Sequence, residues 1–359
     1  MTLILSNDDI DHLLDMSACI DVMEAAFRGF AAGRAGNAGR CEILTPTARD
    51  DALYSLMNMN GVLPDLGVAA VRINSDILTW PASGDGVKRV KVPSAPNARY
   101  VGLVLLFSTT TGEPLAIYPD GIVQRMRTGA TSGLAAKLLA RADARKIALL
   151  GTGWQAGAQA MAIAAVRPVS EIRCYSPRDE SRRNFADEMS AKLGVDIIPV
   201  STAREAVRGA DVVLCATNSM GPMLPAEWLE PGMHVSSLKR LELDASVVKT
   251  ADVAVTHSRN AEAPMQIIRA AGADLARDTD RQKARLAEAI DEDAMPTLGE
   301  IVLGRAAGRG NDKEITLFLN YTGMGYQFAA TGALLYRRAI EQNVGRKLDT
   351  DWFTSSAPS

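Results

Sequence analysis

The segment Ile147-Ala-Leu-Leu-Gly151-Thr152-Gly153-Trp154-Gln155-Ala156-Gly157 limits what this chain can fold into more than any other. An apolar run of strand character meets two glycines and passes directly into an alanine-rich stretch of helical character. In a strand-turn-helix unit of this kind Gly151 permits the tight turn and Gly153 lets a pyrophosphate approach the backbone. Small Ala156 lets helix and strand pack closely, with the helix N-terminus facing the anion. A glycine fingerprint alone equally fits a plain packing turn, so its context decides. Here it opens a regular series. Strand-like runs at 147–150, 171–175, 197–200, 211–216, 234–238 and 252–255 alternate with helical periodicity over 155–166, 179–193 and 202–209. Buried parallel strands joined by helices make an α/β, doubly wound Rossmann sheet, and such a sheet with this loop is expected to bind a dinucleotide.

The flanking regions read differently. Ile20, Met23, Phe27 and Phe30 recur at helical steps after Ser17, a candidate N-cap, and predict two short helices in the first thirty residues. From 42 to 107 short apolar runs are broken by Pro, Gly, Asp and Ser, a β pattern. Within it, 76–99 is a long polar insert carrying Lys88, Arg89 and Lys91, read either as a solvated loop or as a functional lid or interface arm. Residues 261–289 and 328–342 have helical character.

Composition narrows the chemistry. The 359 residues carry 39 Lys and Arg against 42 Asp and Glu, a net charge of -3, so no broad positive field draws nucleic acid or anionic lipid. No run approaches the roughly 18 apolar residues of a membrane span. Cys19, Cys41, Cys174 and Cys215 are widely spaced with no CxxC pair, which fits reduced thiols in a soluble cytoplasmic protein and no metal site. With only His12, His234 and His257 in the chain, the commonest general base is scarce. Chemistry carried by a cofactor together with Arg, Lys or carboxylates is favoured.

Cofactor choice is read at the end of the second strand, Cys174-Tyr175-Ser176-Pro177-Arg178, where an acid would accept from the adenosine 2'-hydroxyl. None stands there. Ser176 and Arg178 suit a 2'-phosphate, favouring NADP(H) with NAD(H) possible, although Arg178 equally fits a solvated helix start. Ala216 and Thr217 end a further strand of the series, and Thr217 is either a nucleotide contact or a cap. Before the sheet, Arg125-Met-Arg127-Thr128-Gly129 precedes small and apolar residues at helical spacing. Thr128 is the expected N-cap. Arg127 is then either a surface ion pair or a fork of donors at a helix entrance suited to a carboxylate.

In sum these motifs resemble the ornithine cyclodeaminase and mu-crystallin family, with its related alanine dehydrogenases and ketimine reductases. The resemblance rests on Thr111-Gly112-Glu-Pro-Leu-Ala, Arg127-Thr128, the Gly151 loop, Ala216-Thr217, Pro231-Gly232-Met-His-Val, Glu242-Leu-Asp244, Leu298-Gly-Glu-Ile and Ile315-Thr-Leu-Phe318. It implies a Rossmann domain over 129–315 inserted in an α+β substrate-binding and dimerisation domain of residues 1–128 and 316–359. It also implies a homodimer and hydride chemistry at an amino acid C–N bond. Arg40, Arg72, Arg127 and Thr128 would hold the substrate carboxylate, and Asn320 would border the nicotinamide, as would Thr322.

Two departures bear on the reaction. The family's lysine falls at Arg72, which keeps the charge but does not readily release a proton. The family's catalytic aspartate is missing from 235–242, and Asp244 belongs to a later segment. Lys239 is a candidate replacement as proton donor or substrate anchor, or else a surface lysine. The leading expectation is an NAD(P)H-dependent reductase of an imine, or dehydrogenase of an amino acid, with Arg72 and Lys239 in catalytic roles. A cyclodeaminase with bound NAD and a non-catalytic NADPH-binding protein are the alternatives.

Overall fold

The computed structural model describes residues 1–83, 86–87, 89–219, 221–259, 265–267, 291–321 and 323–356. In chain order it runs β1 (Thr2–Ile4), α1 (Asn7–Leu13), α2 (Met16–Ala31), β2 (Gly36–Pro46), β3 (Ala52–Leu63), β4 (Val68–Thr79), β5 (Ala82–Ser83), β6 (Gly86–Val87), β7 (Val90–Val92), β8 (Val101–Ser108), β9 (Pro114–Pro119) and α3 (Gly121–Leu139). Then come β10 (Lys146–Leu150), α4 (Trp154–Val166), β11 (Glu171–Tyr175), α5 (Asp179–Leu193), β12 (Asp196–Pro199), α6 (Ala203–Val207), β13 (Val212–Cys215), β14 (His234–Ser237), α7 (Ala245–Thr250) and β15 (Val253–Thr256). The chain ends with β16 (Met265–Ile267), α8 (Leu298–Val302), β17 (Thr316–Leu319), α9 (Gly325–Gln342) and β18 (Arg346–Leu348). It divides into two compact units: Met1–Arg127 with Ala261–Asp280 and Gly323–Ser359, and Thr128–Asn260 with Arg281–Thr322.

The first unit is built on a mainly antiparallel sheet in the order β16-β2-β3-β4-β8-β9-β1-β18, with β7 paired to β4. Strict alternation on β4 buries Val68, Ala70, Arg72, Asn74, Asp76 and Leu78 and leaves the residues between them half-buried. Period-two side chains place the buried set on one face, which we call the inner face. Helix α9 packs on β3, β4 and α2, where Tyr326 stacks on Phe30 with ring centroids 4.7 Å apart and meets Phe27 edge-on at 5.6 Å. The two N-terminal helices form as expected, but the cap of α2 is Asp15, whose carboxylate accepts from the Ala18 amide at 2.8 Å. Ser17 lies inside the helix, because the extended backbone that an N-cap requires occurs at Asp15.

Part of the polar insert is strand. Residues 76–79 continue β4, and β7 folds back on them with Ile77 opposite Val92 and Thr79 opposite Val90. Lys91 and Asp76 close this strap with an ion pair of 2.6 Å.

The second unit holds a wholly parallel sheet in the order β12-β11-β10-β13-β14-β17-β15. Chain order reverses on the two sides of β10, the switch point at which such sheets bind ligands. Ile147 and Leu149 face a layer that includes Phe185 and Met189 of α5, while Ala148 and Leu150 face one that includes Val235, Val247 and Leu317. A strand with both faces buried explains why its sequence is an unbroken apolar run.

Three expectations need correction or limits. Thr316–Leu319 does not begin the return to the first unit: β17 is fully buried between β14 and β15, and the return begins at Gly323. Helix α3 starts at Gly121, with its first turn already closed by the Gln124 amide on the Asp120 carbonyl at 2.7 Å. Thr128 is therefore a mid-helix residue and not the N-cap. Of the helix expected over 261–289, only Met265–Ile267 is described, as a short strand parallel to β2, and the rest lies outside the described residues. Among the described residues, no helix is long and apolar enough to cross a membrane.

Candidate active site

The inner face of the first unit's sheet concentrates charge. Arg72 on β4 is buried, and its Nε and Nη2 both reach Asp120 Oδ2 at 2.7 Å. Asn74, two residues along the same face, donates to the same oxygen at 2.9 Å. Asp120 fits there because position 102 on the neighbouring β8 is glycine: a Cβ at Gly102 would lie 2.1 Å from Asp120 Oδ1 and 2.5 Å from Asn74 Nδ2. Arg127, one helical turn and a half into α3, donates to Gln327 Oε1 of α9 at 3.1 Å. The ring of Phe328 sits under both guanidinium groups, 4.9 Å from that of Arg72 and 5.1 Å from that of Arg127. A phenyl face attracts each cation and fixes the plane in which its donors lie.

Burial has an electrostatic cost here. It pushes the Arg127 guanidinium down to about 9, with Arg72 adding like-charge repulsion, and it lowers Arg72 against the pull of Asp120. Both stay protonated at neutral pH. An anion received between them would offset that desolvation.

Arg40 on β2 belongs to a second group on the same face. Its Nη2 donates to Glu42 at 2.9 Å, Ser55 Oγ donates to Glu42 at 2.7 Å, and Arg89 of the strap contacts both Glu42 oxygens. Burial alone would raise the Glu42 carboxyl, but the hydrogen bond and charge of Arg89, with Arg40 and Ser55, hold it at about 2. The charge of Arg40 reaches Arg72, so the two groups are electrostatic neighbours.

In the second unit, Gly151 takes φ +113°, and a Cβ on it would lie 2.3 Å from the Ala216 carbonyl oxygen at the end of β13. Only glycine satisfies both conditions. Gly153 is the N-cap of α4; it makes no side-chain cap, and a Cβ there would enter open space. Trp154 and Gln155 form the first turn, and Ala156 is buried against the sheet. An open glycine at an uncapped helix start, on the switch-point strand, fits a dinucleotide pyrophosphate. Thr152 Oγ1 donates to Ser176 Oγ at 2.9 Å, which joins the loop to the end of β11. Arg178 is exposed one residue before α5, and the nearest acid, Asp179, is engaged by Arg182 and Arg183 at 2.8 and 2.7 Å.

The loops after β13 and β14 are tied by Glu242. This fully buried carboxylate accepts from the Thr217 amide, from Ser237 Oγ at 2.9 Å, and from the Leu238 and Lys239 amides at 3.0 Å each. Thr217 thus has a positioned backbone, while its hydroxyl caps the turn at Ser219. Lys239 is exposed beside this knot, and Asp244 is the N-cap of α7. Asn320 is buried, with its amide bonded to the Thr128 carbonyl, Ser132 and His257. That side chain is held in place by partners within its own unit. Thr322 lies outside the described residues.

His12 is exposed on α1, His234 is buried at the foot of β14, and His257 is buried against Asn320. Among the described residues, no group of three or more His, Cys, Asp or Glu side chains could hold a metal. Asn74, Asp120, Glu42, Phe328 and Gln327 join the site without belonging to any of the sequence motifs. A usable signal existed: Arg72, Asn74 and Asp76 alternate with apolar residues, placing three polar groups on one face of a strand.

Comparison with known proteins identifies the family. Residues 81–343 match the model of the ornithine cyclodeaminase/mu-crystallin family. Alanine dehydrogenase of Archaeoglobus fulgidus is 29% identical over 354 residues, covering 97% of this chain and 98% of that protein. The structure of Thermococcus litoralis Delta(1)-pyrroline-2-carboxylate reductase in complex with NADH and L-proline superimposes with a TM-score of 0.75 at 29% identity, covering 96% of this chain and all of that one. An archaeal alanine dehydrogenase dimer with bound NAD gives a TM-score of 0.76 at 27% identity, covering 97% and 99%. The chain therefore belongs to the ornithine cyclodeaminase/mu-crystallin family, with a Rossmann-type parallel sheet in its second unit.

Proposed function

We propose that this protein is an NAD(P)H-dependent oxidoreductase acting on the C–N bond of an imino acid or, in reverse, an amino acid. The observation that carries the reading is the pair of buried guanidiniums, Arg72 and Arg127, set on the ring of Phe328. They form an anion receptor for a substrate carboxylate, with Arg40 beside it. The loop Gly151–Ala156 in the second unit holds the dinucleotide, with Thr152, Ala216 and Thr217 lining its place.

A reduced nicotinamide bound at that loop would supply the hydride for the imine carbon. The C=N π pair then moves to nitrogen and takes up one proton, so imine, reduced cofactor and H⁺ give amine and oxidised cofactor. Arg72 is the catalytic residue by charge: it aligns the carboxylate next to the reacting carbon and favours the anion, while Asp120 and Asn74 hold its fork in place. Water or Lys239 delivers the proton. Ring-closing deamination is disfavoured, because Asp244 is spent as a helix cap and Glu242 is saturated by four donors.

Ser176 and Arg178, with no acid at the end of β11 itself, favour NADP(H) over NAD(H). The buried free thiols Cys19 and Cys174, pushed up by burial to about 12 and about 11, fit the reducing cytoplasm. A homodimer is the proposed assembly. The outer face of the first unit's sheet carries Leu56, Val101 and Leu103, each 38–44% exposed, opposite the arginine face, and a second copy would cover it. Leu103→Glu should convert a dimer to a monomer in sedimentation, and a monomeric wild-type protein would remove this part of the proposal.

The test of the activity is steady loss of NADPH absorbance with a panel of cyclic and linear 2-imino acids. Ammonia release from a diamino acid without net cofactor turnover would instead establish a cyclodeaminase, and cofactor binding with no turnover on any of them a non-catalytic role.

A further inference from the structure

The charges on the inner face fall into two sets with the same balance. The buried set is Arg72 and Arg127 against Asp120. The half-exposed set is Arg40 and Arg89 against Glu42, with side-chain exposures of 38%, 24% and 4%. Lys91 and Asp76 form a neutral pair that closes the strap. Among the described residues, each set therefore retains one net positive charge. A substrate with one carboxylate neutralises the buried set and leaves the other uncompensated.

The placement of the sets suits a short ligand. Arg40 and Arg72 stand on β2 and β4, with β3 between them, and so about 10 Å apart at the backbone. Their long side chains point to the same face, and Arg72 feels the charge of Arg40. A two-strand separation at the backbone, bridged from both sides by long side chains on one face, suits a ligand of only a few carbons. Arg89 has no role in holding the first carboxylate. It comes from the strap and shares Glu42 with Arg40, so that this carboxylate does not cancel Arg40 alone.

Resting on the reductase reading above, we propose that the substrate is a dicarboxylate: a 2-imino or 2-amino acid of four or five carbons with an acidic side chain. Arg72 and Arg127 take the carboxylate next to the reacting carbon. Arg40 and Arg89 take the distal one, and Arg89 is the specificity-determining residue. The hydride and proton balance is that of imine reduction.

The experiment compares reductive amination of the four-carbon 2-oxo dicarboxylic acid with that of 2-oxobutyrate, in ammonia and NADPH or NADH. In parallel, succinate and butyrate serve as non-reacting competitors read by thermal shift. We expect kcat/KM at least tenfold higher for the dicarboxylate, and stabilisation by succinate at concentrations where butyrate gives none. Arg89→Gln should cut the preference at least tenfold, and Arg89→Lys should restore most of it. Equal or better use of 2-oxobutyrate, or an unchanged preference in Arg89→Gln, overturns the dicarboxylate proposal and leaves the reductase reading intact. If neither acid turns over, succinate stabilisation that is lost in Arg89→Gln upholds the distal subsite while the reductase reading falls. Equal shifts with succinate and butyrate overturn the subsite as well.

Discussion

The two units offer anion sites by opposite means. The Gly151 loop presents backbone dipoles at the start of α4, and its key atoms are those that glycine leaves out. The arginine cluster presents full charges in a buried place, and each charge needs support: Asp120 and Asn74 for Arg72, Gln327 for Arg127, Phe328 for both. A dipole site costs little when empty, because its N–H groups reach water. A buried cation carries its desolvation at all times, and a bound carboxylate offsets it. The first kind suits a cofactor that exchanges freely. The second suits recognition of one charged group at a fixed position.

Substitutions can break this contrast, and the largest effect is expected at Arg127. Arg127→Met removes a forked cation worth about two charge-assisted hydrogen bonds of ~1.5–3 kcal/mol each. Catalytic efficiency for the imino acid should fall by roughly 10³ while NADPH affinity changes less than about threefold. Equal losses in steady-state kinetics and cofactor titration would show that the two sites are not separate in function. Next in size is Gly151→Ala. A methyl group 2.3 Å from the Ala216 carbonyl, on a residue at φ +113°, should cost about 2–3 kcal/mol of stability and sharply weaken cofactor binding. Calorimetry with and without NADPH checks both.

A smaller effect sharpens the comparison at the cofactor. Arg178→Ala should weaken NADPH about tenfold and NADH little, read from paired dissociation constants. An unchanged ratio would remove the argument for the 2'-phosphate.

The smallest effect concerns pH. Burial, with Arg309 and Arg167 nearby, pushes His234 down to about 3. Its Nδ1 faces Thr316 Oγ1, which already donates to the Leu139 carbonyl and accepts from Arg309, so Nδ1 carries the hydrogen and Nε2 is buried without a partner. The unfolded chain binds the proton near pH 6.5, and the folded chain does not until about 3. Stability contributed by neutral His234 is thus complete above pH 6.5 and is lost as pH falls toward 3. Glu42 acts in the same direction at lower pH, from about 4.5 toward 2. His234→Gln should flatten the melting curve between pH 6.5 and 4.5 and leave the decline below 4.5, where Glu42 protonates. A variant as acid-sensitive as wild type across that window would exclude the histidine.

The same contrast explains what a reader of the chain can find. Gly151, Gly153 and Ala156 act through contacts made within a few residues, so their spacing carries their meaning. Arg72 and Asp120 meet because β8 and β9 lie between them in the chain while β4 and the start of α3 come together in space. Thr128 misled for a related reason. Its type suits a helix cap, but the apolar spacing of Val123, Met126 and Ala130 extends the helix back to Gly121 and encloses it.

The sequence by itself determined the parallel sheet, most of its strands and helices, the glycine turn at Gly151 and the family. These follow from periodicity and from local backbone requirements that neighbouring residues meet together. Only the tertiary structure decided which charges share a face, that β17 inserts between β14 and β15, that Asn320 is anchored inside its unit, and that Arg89 returns to Glu42. Charges separated by dozens of residues interact through distance and burial, and neither quantity exists until the sheet has paired and the helices have covered it.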